Sequence, residues 1–351
     1  MAIEKTPFAT TPDGQSVHRF TLRNAANMTV QLLDFGATLI SVQVPDRNGA
    51  VDEVTLGFDR LDPYLDNPEY LGVVIGPFAN RIGGANFMMN NVRYDLEANE
   101  GTNHIHGGNV GFSKKLWCAE DVSDDQGAAI AFQIHRPDGE GNFPGNLSVM
   151  MTYRLTNDSE LVFQYQAETD QPTPVNLTNH AYWNLAGAGR GDILDHELQI
   201  FADHALEMDA GLVPTGDFID VADSPLDFAA ARTIGSCFDA VDLPGDWHPG
   251  YDHAYALHPR ETLEPAAMVF EPSSGRVMTV HTTYPGIQLY TGNYLDIPDG
   301  ARGRQFDRYG GLALETQFFP DSVNQPNFPS TILQPGEQYE HATVHRFSVL
   351  G

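Results

Sequence analysis

Glycine and proline interrupt this chain so often that long helices must be scarce. With 33 glycines and 23 prolines in 351 residues, a breaker falls about once every six residues, whereas a typical helix needs about 10 to 15 uninterrupted ones. The alternative is short strands, and period-two alternation recurs. In Ala37 to Val44, the residues Thr38, Ile40, Val42 and Val44 fall on one side of an extended chain, with Leu39, Ser41 and Gln43 on the other. Similar stretches lie at Met28 to Phe35, Val51 to Phe58, Ala129 to Ile134, Leu147 to Leu155, Glu160 to Glu168, Met278 to His281 and His341 to Val349. Many short strands between turn signals predict an all-β protein, a large antiparallel sandwich or barrel with few short helices. Arg60 to Asp66 is the one helical candidate, a single turn. Pro137 to Gly145 and Gly187 to Gly191 read as loops, and Asp220 to Pro249 carries neither period. No linker, charge block or internal repeat divides the chain, so residues 1–351 are read as one large β domain.

The charge balance excludes whole classes of function. Nineteen Lys and Arg stand against 47 Asp and Glu, a formal charge of −28. A surface that negative repels nucleic acid and anionic lipid, so neither a nucleic acid nor a membrane is expected as a partner. With 41% hydrophobic and 19% charged residues, and no run near the ~18 apolar residues of a spanning helix, the composition is that of a soluble globular protein. Cys118 and Cys237 are too few for a disulfide framework, and the start MAIEKTPFAT lacks both a basic and an apolar leader region. A cytoplasmic location follows as the expectation, with monomer and homodimer both open.

Three segments carry candidate chemistry. In Pro174 to Gly187, PVNLTNHAYWNLAG, strand alternation puts Asn176, Thr178, His180, Tyr182 and Asn184 on one face and Val175, Leu177, Ala181, Trp183 and Leu185 on the other. One face is core. The other is a row of hydrogen-bonding groups without Lys, Glu or Arg, which suits a pocket for a neutral polyol; the plainer reading is a polar edge strand. In Asn103 to Gly108, NHIHGG, His104 and His106 are two apart, compatible with structural histidines or with an H-x-H metal site completed by His180 and Glu315, as in a cupin. In Gly310 to Phe328, Glu315 interrupts an apolar alternation; partial burial would raise its pKa and make it a stronger base, unless it only pairs with an Arg. Asn80 and Arg81 in GPFANRIGG, Asp252 in GYDHAYAL and Gln288 in PGIQLYTGN are further hydrogen-bonding residues beside turn glycines or aromatics.

Taken in order, ANRI at 79–82, HGG at 106–108, TPVNLTNH at 173–180, GYDH at 250–253, GIQLYTGN at 286–293 and ETQ at 315–317, followed by PDS, NQPNFPS and PGE, resemble the aldose 1-epimerase (galactose mutarotase) family over essentially the whole chain. The resemblance implies a β-supersandwich fold, no metal or other cofactor, and a pocket for the pyranose form of free aldohexoses such as galactose and glucose. It places Glu315 on the family's general base, His180 on its general acid and His106 on its second catalytic-site histidine. Asn80, Arg81, Tyr182, Asp252 and Gln288 fall on sugar-contacting positions. The chain departs at Pro77 and Phe78, where many members read GRYANRI, at Ala181 and Trp183, where many read NHTYFNL, and at Phe318, where a His is common; these predict altered packing with unaltered chemistry.

The implied reaction needs one base and one acid. A proton leaves the C1 hydroxyl while another reaches the ring oxygen, the hemiacetal opens, and rotation about C1–C2 precedes reclosure by the same groups in reverse. The alternatives are a hexose-6-phosphate epimerase, which would need a compact cationic site, and a sugar-binding protein, which would not need the base.

The excess of carboxylates fits either a host living at raised salt or an ordinary acidic bacterial enzyme. In the first case screening of self-repulsion should raise the melting temperature between low and high NaCl; a melt that salt does not stabilise removes that reading.

Overall fold

The computed structural model describes residues 3–259 and 262–351. Three antiparallel sheets dominate. The largest has nine strands in the order Cys118–Asp121, Gly127–Arg136, Leu147–Thr156, Glu160–Thr169, Tyr339–Val349, Arg276–Thr282, Glu264–Phe270, Glu197–Ile200 and Arg232–Thr233. A six-stranded sheet runs Tyr182–Trp183, Leu312–Gln317, Gly286–Tyr290, Asp252–Ala256, His204–Met208 and Pro214–Asp220. A five-stranded sheet covers Glu4 to Glu53 in sequence order. Among the described residues the α-helix is confined to Asp62–Asp66, inside the expected single turn, and no helix is long and apolar enough to cross a membrane.

Alternation explains why the sheets stack. Phe132, Met151, Tyr153, Phe163 and Val280 of the large sheet, Leu22, Val30 and Val42 of the five-stranded sheet, and Leu289, Leu312 and Leu314 of the six-stranded sheet share one buried apolar cluster. Non-directional burial of that face drives the assembly. Trp183 and Ala181 belong to the same cluster, as their strand phase predicts, while Tyr182 turns the other way into a second cluster with Leu56 and Ala313. Phe78, one of the departures from the family pattern, fills a third cluster with Ile82, Phe87 and Phe143.

Two expectations need correction. The phase predicted for Ala37 to Val44 fails because the pairing with Thr29–Leu33 slips between Gln31 and Leu32. A β-bulge inserts one residue, so Leu39 joins Val42 and Val44 in the main core while Ile40 packs in the second cluster. Pro174 to Gly187 is not one strand either. It is broken into two-residue pairings, Thr173–Pro174 with Ile332–Leu333, Thr178–Asn179 with Val74–Ile75, and Tyr182–Trp183 with Leu312–Ala313. The polar row therefore does not face one cavity. The Asn184 side chain donates to the carbonyls of Gly191 and Gly310. That of Asn176 donates to the carbonyls of Ala79 and Phe318 and accepts from the Phe318 amide.

These bonds hold the loops that carry the site against the sheet that carries Glu315. Gly72 is needed in the same region: its φ is +70° and a Cβ would lie 2.1 Å from the Leu39 carbonyl oxygen. Its amide donates to the carbonyl of His180, and the His180 amide donates to Val73.

Asn176→Ala would leave one buried and two half-buried backbone groups without this partner, and a loss of about 1 to 3 kcal/mol is expected. Urea unfolding checks this through a lowered midpoint at unchanged slope; an unmoved midpoint would mean that the loops are held by other contacts.

Candidate active site

The strand Leu312–Gln317 carries its carboxylate into the interior. Leu312 and Leu314 enter the main core, and the opposite phase points Glu315 into a cavity of about 580 Å³. Gln288 lies directly across from Glu315 in the adjacent strand, and Asp252 comes from the next strand over. From the other side Asn80, Arg81, His106, His180 and Tyr182 reach the same cavity. The structure thus brings together every expected site residue except Gln288, which stands behind the wall and donates from Nε2 to Asp252 Oδ1 at 2.6 Å.

Glu315, His180 and His106 are 2%, 4% and 5% exposed. His180 Nε2 lies 3.5 Å from Glu315 Oε1, longer than a charge-assisted hydrogen bond, so the two atoms are free to engage different oxygens of one ligand. Burial pushes the Glu315 carboxyl up to about 8, with the nearby Asp252 adding to the shift and Arg81 opposing it. Burial pulls the His180 imidazole down to about 4. Both shifts disfavour separated charge, and between those two pH values the pair holds one proton.

His106 is held differently. Its amide donates to the Asn80 carbonyl at 3.2 Å, and the Asn80 amide donates back to His106 Nδ1 at 3.2 Å. Both residues adopt left-handed backbone, φ 63° for Asn80 and 53° for His106, which lets the two loops close on each other. Because Nδ1 accepts, the hydrogen of the neutral ring sits on Nε2. Burial, reinforced by His180 and Arg81, drives the His106 pKa well below its ordinary value, so that neutral form persists.

This tautomer bears on metal binding. His106, His180 and Glu315 offer ligand atoms within 4.8 Å of one another. With Nδ1 engaged by Asn80 and Nε2 protonated, His106 has no free lone pair, and the two remaining donors fall short of the three protein ligands of a catalytic centre. His104 does not join them. The left-handed turn at His106 breaks the alternation, and His104 Nδ1 instead bonds the Glu97 carbonyl at 2.8 Å, its ring against Phe143. It is a structural histidine.

Arg81 is fixed by two carboxylates. Its Nε and Nη2 donate to Glu100 at 2.6 and 2.7 Å, and Nη1 faces Asp252 at 3.6 Å. Burial works against its charge, but Asp252 and Glu100 outweigh that and hold its pKa above the ordinary range. Arg81 is thus held in structural ion pairs while it also lines the cavity.

Glu100 carried no signal in the sequence. Trp247 lay in the segment without a period, yet its ring sits 5.6 Å from the Arg81 guanidinium at the cavity wall. Tyr70 and Glu69 were also missed, because nothing local marks a loop that folds over a distant strand.

An antiparallel β assembly that buries a carboxyl and an imidazole side by side under a polar cavity has the groups for acid–base chemistry on a polar ligand. Its fold is that of the galactose mutarotases: the aldose epimerase homologue of C. elegans superposes with a TM-score of 0.86 at 29% identity, over 94% of this chain and 98% of that one. The galactose 1-epimerase of Lactobacillus acidophilus gives 0.84 at 26% identity, over 100% and 99%. The family model for aldose 1-epimerase matches residues 18–346. The galactose mutarotase of Mus musculus is 40% identical over 99% of both chains, and the aldose 1-epimerase of Escherichia coli (strain K12) 38% identical over 98% of this chain and 99% of its own. The chain belongs to the aldose 1-epimerase family, and it is an isomerase.

At pH 6, nitrogen-15 NMR of the imidazoles should find His106 and His180 neutral, with the hydrogen of His106 on Nε2. A His106 hydrogen on Nδ1 would contradict its pairing with Asn80.

Proposed function

We propose that this isomerase interconverts the α and β anomers of free aldohexoses, galactose and glucose among them, with Glu315 as general base and His180 as general acid. The observation that carries the assignment is the buried pair itself, a carboxyl and an imidazole 3.5 Å apart. The two oxygens on C1 of a pyranose share one carbon, and a base on the hydroxyl with an acid on the ring oxygen is the pairing that opens the hemiacetal. In the reactive form the single proton of the pair sits on His180 and Glu315 is ionised. The C1 hydroxyl stabilises that arrangement by donating to the carboxylate, and Arg81 favours it through its charge. An imidazole as weakly basic as His180 releases its proton readily to the ring oxygen. Reclosure returns each proton by the reverse path, so no cofactor enters.

His106 donates from Nε2 into the cavity and stabilises negative charge that develops on oxygen in the open form, together with Arg81. Asn80, Asp252 and Tyr182 contribute sugar contacts, with Gln288 orienting Asp252 from behind.

Charge separates free from phosphorylated sugars. The cavity is lined by Asp66, Glu69, Glu97, Glu100 and Asp252 against Arg81 and Lys114, and both Glu100 and Asp252 already face Arg81. A phosphate dianion meets net repulsion there. The chain is read as one unit throughout, supported by the apolar cluster common to its three sheets. The free thiols of Cys118 and Cys237 support a reducing cytoplasm.

Polarimetry of freshly dissolved α-D-galactose and α-D-glucose against a buffer blank tests the reading. Wild type should accelerate the decay, with activity bell-shaped in pH between limbs near about 4 and about 8. Below the first the pair holds two protons and lacks a base; above the second it holds none and lacks an acid. Glu315→Gln should lower kcat by about 10² to 10⁴, and glucose 6-phosphate should be a far poorer substrate than glucose. Near-normal turnover in Glu315→Gln or a flat profile from pH 5 to 9 would overturn the assigned roles.

A further inference from the structure

The device that usually aims a catalytic imidazole is missing from His180. A histidine that must present one nitrogen to a substrate is normally oriented by a hydrogen bond at the other. His180 Nδ1 is buried and has no hydrogen-bond partner in another described residue; only the backbone of His180 itself acts on the ring. What surrounds the ring instead is aromatic. The Tyr182 ring lies 5.0 Å away at 32°, the His106 ring 5.3 Å away at 78°, and the Tyr70 ring 6.1 Å away in a stacked arrangement at 27°. Tyr70 also packs on His106, at 4.7 Å. It touches both histidines.

Tyr70 reaches them through a backbone conformation that a bulky residue seldom adopts, with φ at 55°. Such a conformation persists only where the surroundings over-determine it, and it clusters at sites where geometry matters. Here the surroundings are plain. The Tyr70 amide donates to the Asn67 carbonyl, and the Asn67 side chain closes the loop on both the amide and the carbonyl of Leu71. The Tyr182 hydroxyl donates to the Glu69 carbonyl at 3.0 Å, and the Asn179 side chain donates to Gly72 at 2.7 Å. Because Gly72 and Val73 pair with the backbone of His180 itself, the loop that carries Tyr70 is tied directly to the residue it covers. None of these bonds uses the Tyr70 hydroxyl, so the ring is the part that acts.

We propose that Tyr70 is a positioning residue that holds the His180 imidazole by ring packing, in place of a hydrogen bond from another residue, so that Nε2 stays aimed at Glu315 and the ring stays shielded from water. The inference rests on His180 being the general acid. Two consequences distinguish it from a purely structural role. Loss of the ring lets His180 turn, which lowers kcat more than it raises KM. Loss of the ring also admits water, so the desolvation that depresses the His180 pKa weakens and the acid limb of the pH profile moves upward. The other titratable groups facing His180, namely Glu315, His106 and Tyr182, are unchanged by the substitution.

Tyr70→Gly and Tyr70→Phe make the test, since glycine accepts the left-handed backbone without strain and phenylalanine keeps the ring. Tyr70→Phe should retain kcat within about twofold. Tyr70→Gly loses the packing of the ring on Val73, Ile75 and Ala79 and should melt lower; assayed well below its melting temperature it should lose about 10- to 100-fold in kcat and show its acid limb above about 4. The His180 nitrogen shifts followed by NMR should titrate upward in the same variant whatever its activity, so failure of the clamp is read separately from failure of the catalytic assignment. Wild-type kcat and an unmoved His180 titration in Tyr70→Gly would overturn the proposal. A loss in Tyr70→Phe as large as in Tyr70→Gly would also overturn it, by assigning the effect to the hydroxyl.

Discussion

Burying one carboxyl on an apolar strand is the constraint around which this molecule is arranged. Glu315 sits in Leu312–Gln317, every residue of which is buried, and an isolated carboxylate there would be strongly disfavoured. The strand cannot be displaced to relieve it. On its other phase Leu312 and Leu314 belong to the cluster that joins all three sheets, so the hydrophobic term that assembles the fold also fixes where the carboxyl ends up. The remaining features of the site answer that placement: a cation within reach at Arg81, acceptors to hold that cation, and an imidazole able to exchange a proton with the acid.

The electrostatics follow from the same burial. In bulk water a carboxyl and an imidazole would both be charged near pH 6; here desolvation moves the one up and the other down. The result is a neutral pair that becomes an ion pair when a single proton crosses, a form that a bound hydroxyl donating to the carboxylate helps to stabilise. Arg81 tilts the balance toward the ionised carboxylate. Its own charge is kept by Glu100 and Asp252, so it remains available as a fixed positive field and is not consumed by the pair it serves.

How much of this was legible in the sequence depended on how local the signal was. The glycine and proline spacing and the alternation of Leu147 to Leu155 or Glu160 to Glu168 led to an antiparallel sandwich because strand periodicity is a short-range property. Glu315 stood out for the same reason, as a charge in an apolar phase. The bulge at Ile40 was not legible, since a slip of register depends on the partner strand. Nor was the breaking of Pro174 to Gly187, whose residues pair with three different parts of the chain. Asn176 and Asn184 consequently looked like ligand contacts and are backbone anchors. The motif order singled out His180, His106, Asn80, Arg81 and Asp252, whereas Tyr70, Glu100 and Trp247 are defined by what they touch across the fold, and no periodicity reports that.

Unfavourable backbone occurs at and beside the site as well as unfavourable charge. Tyr70, Asn80, His106 and Asp321 all have positive φ, and the last of these donates its amide to the Arg81 carbonyl while its side chain accepts from Gly83. Each such residue costs about 1 to 3 kcal/mol, a large share of the about 5 to 15 kcal/mol that separates folded from unfolded domains. A reaction that only moves two protons does not by itself require so large a scaffold. The requirement comes from the geometry: tight left-handed turns bring four loops to one point, and only an extensive, well-packed core makes their combined strain tolerable. The size of the sandwich is thus linked to the precision of the site, because a smaller core would let these loops relax and separate the acid from the base.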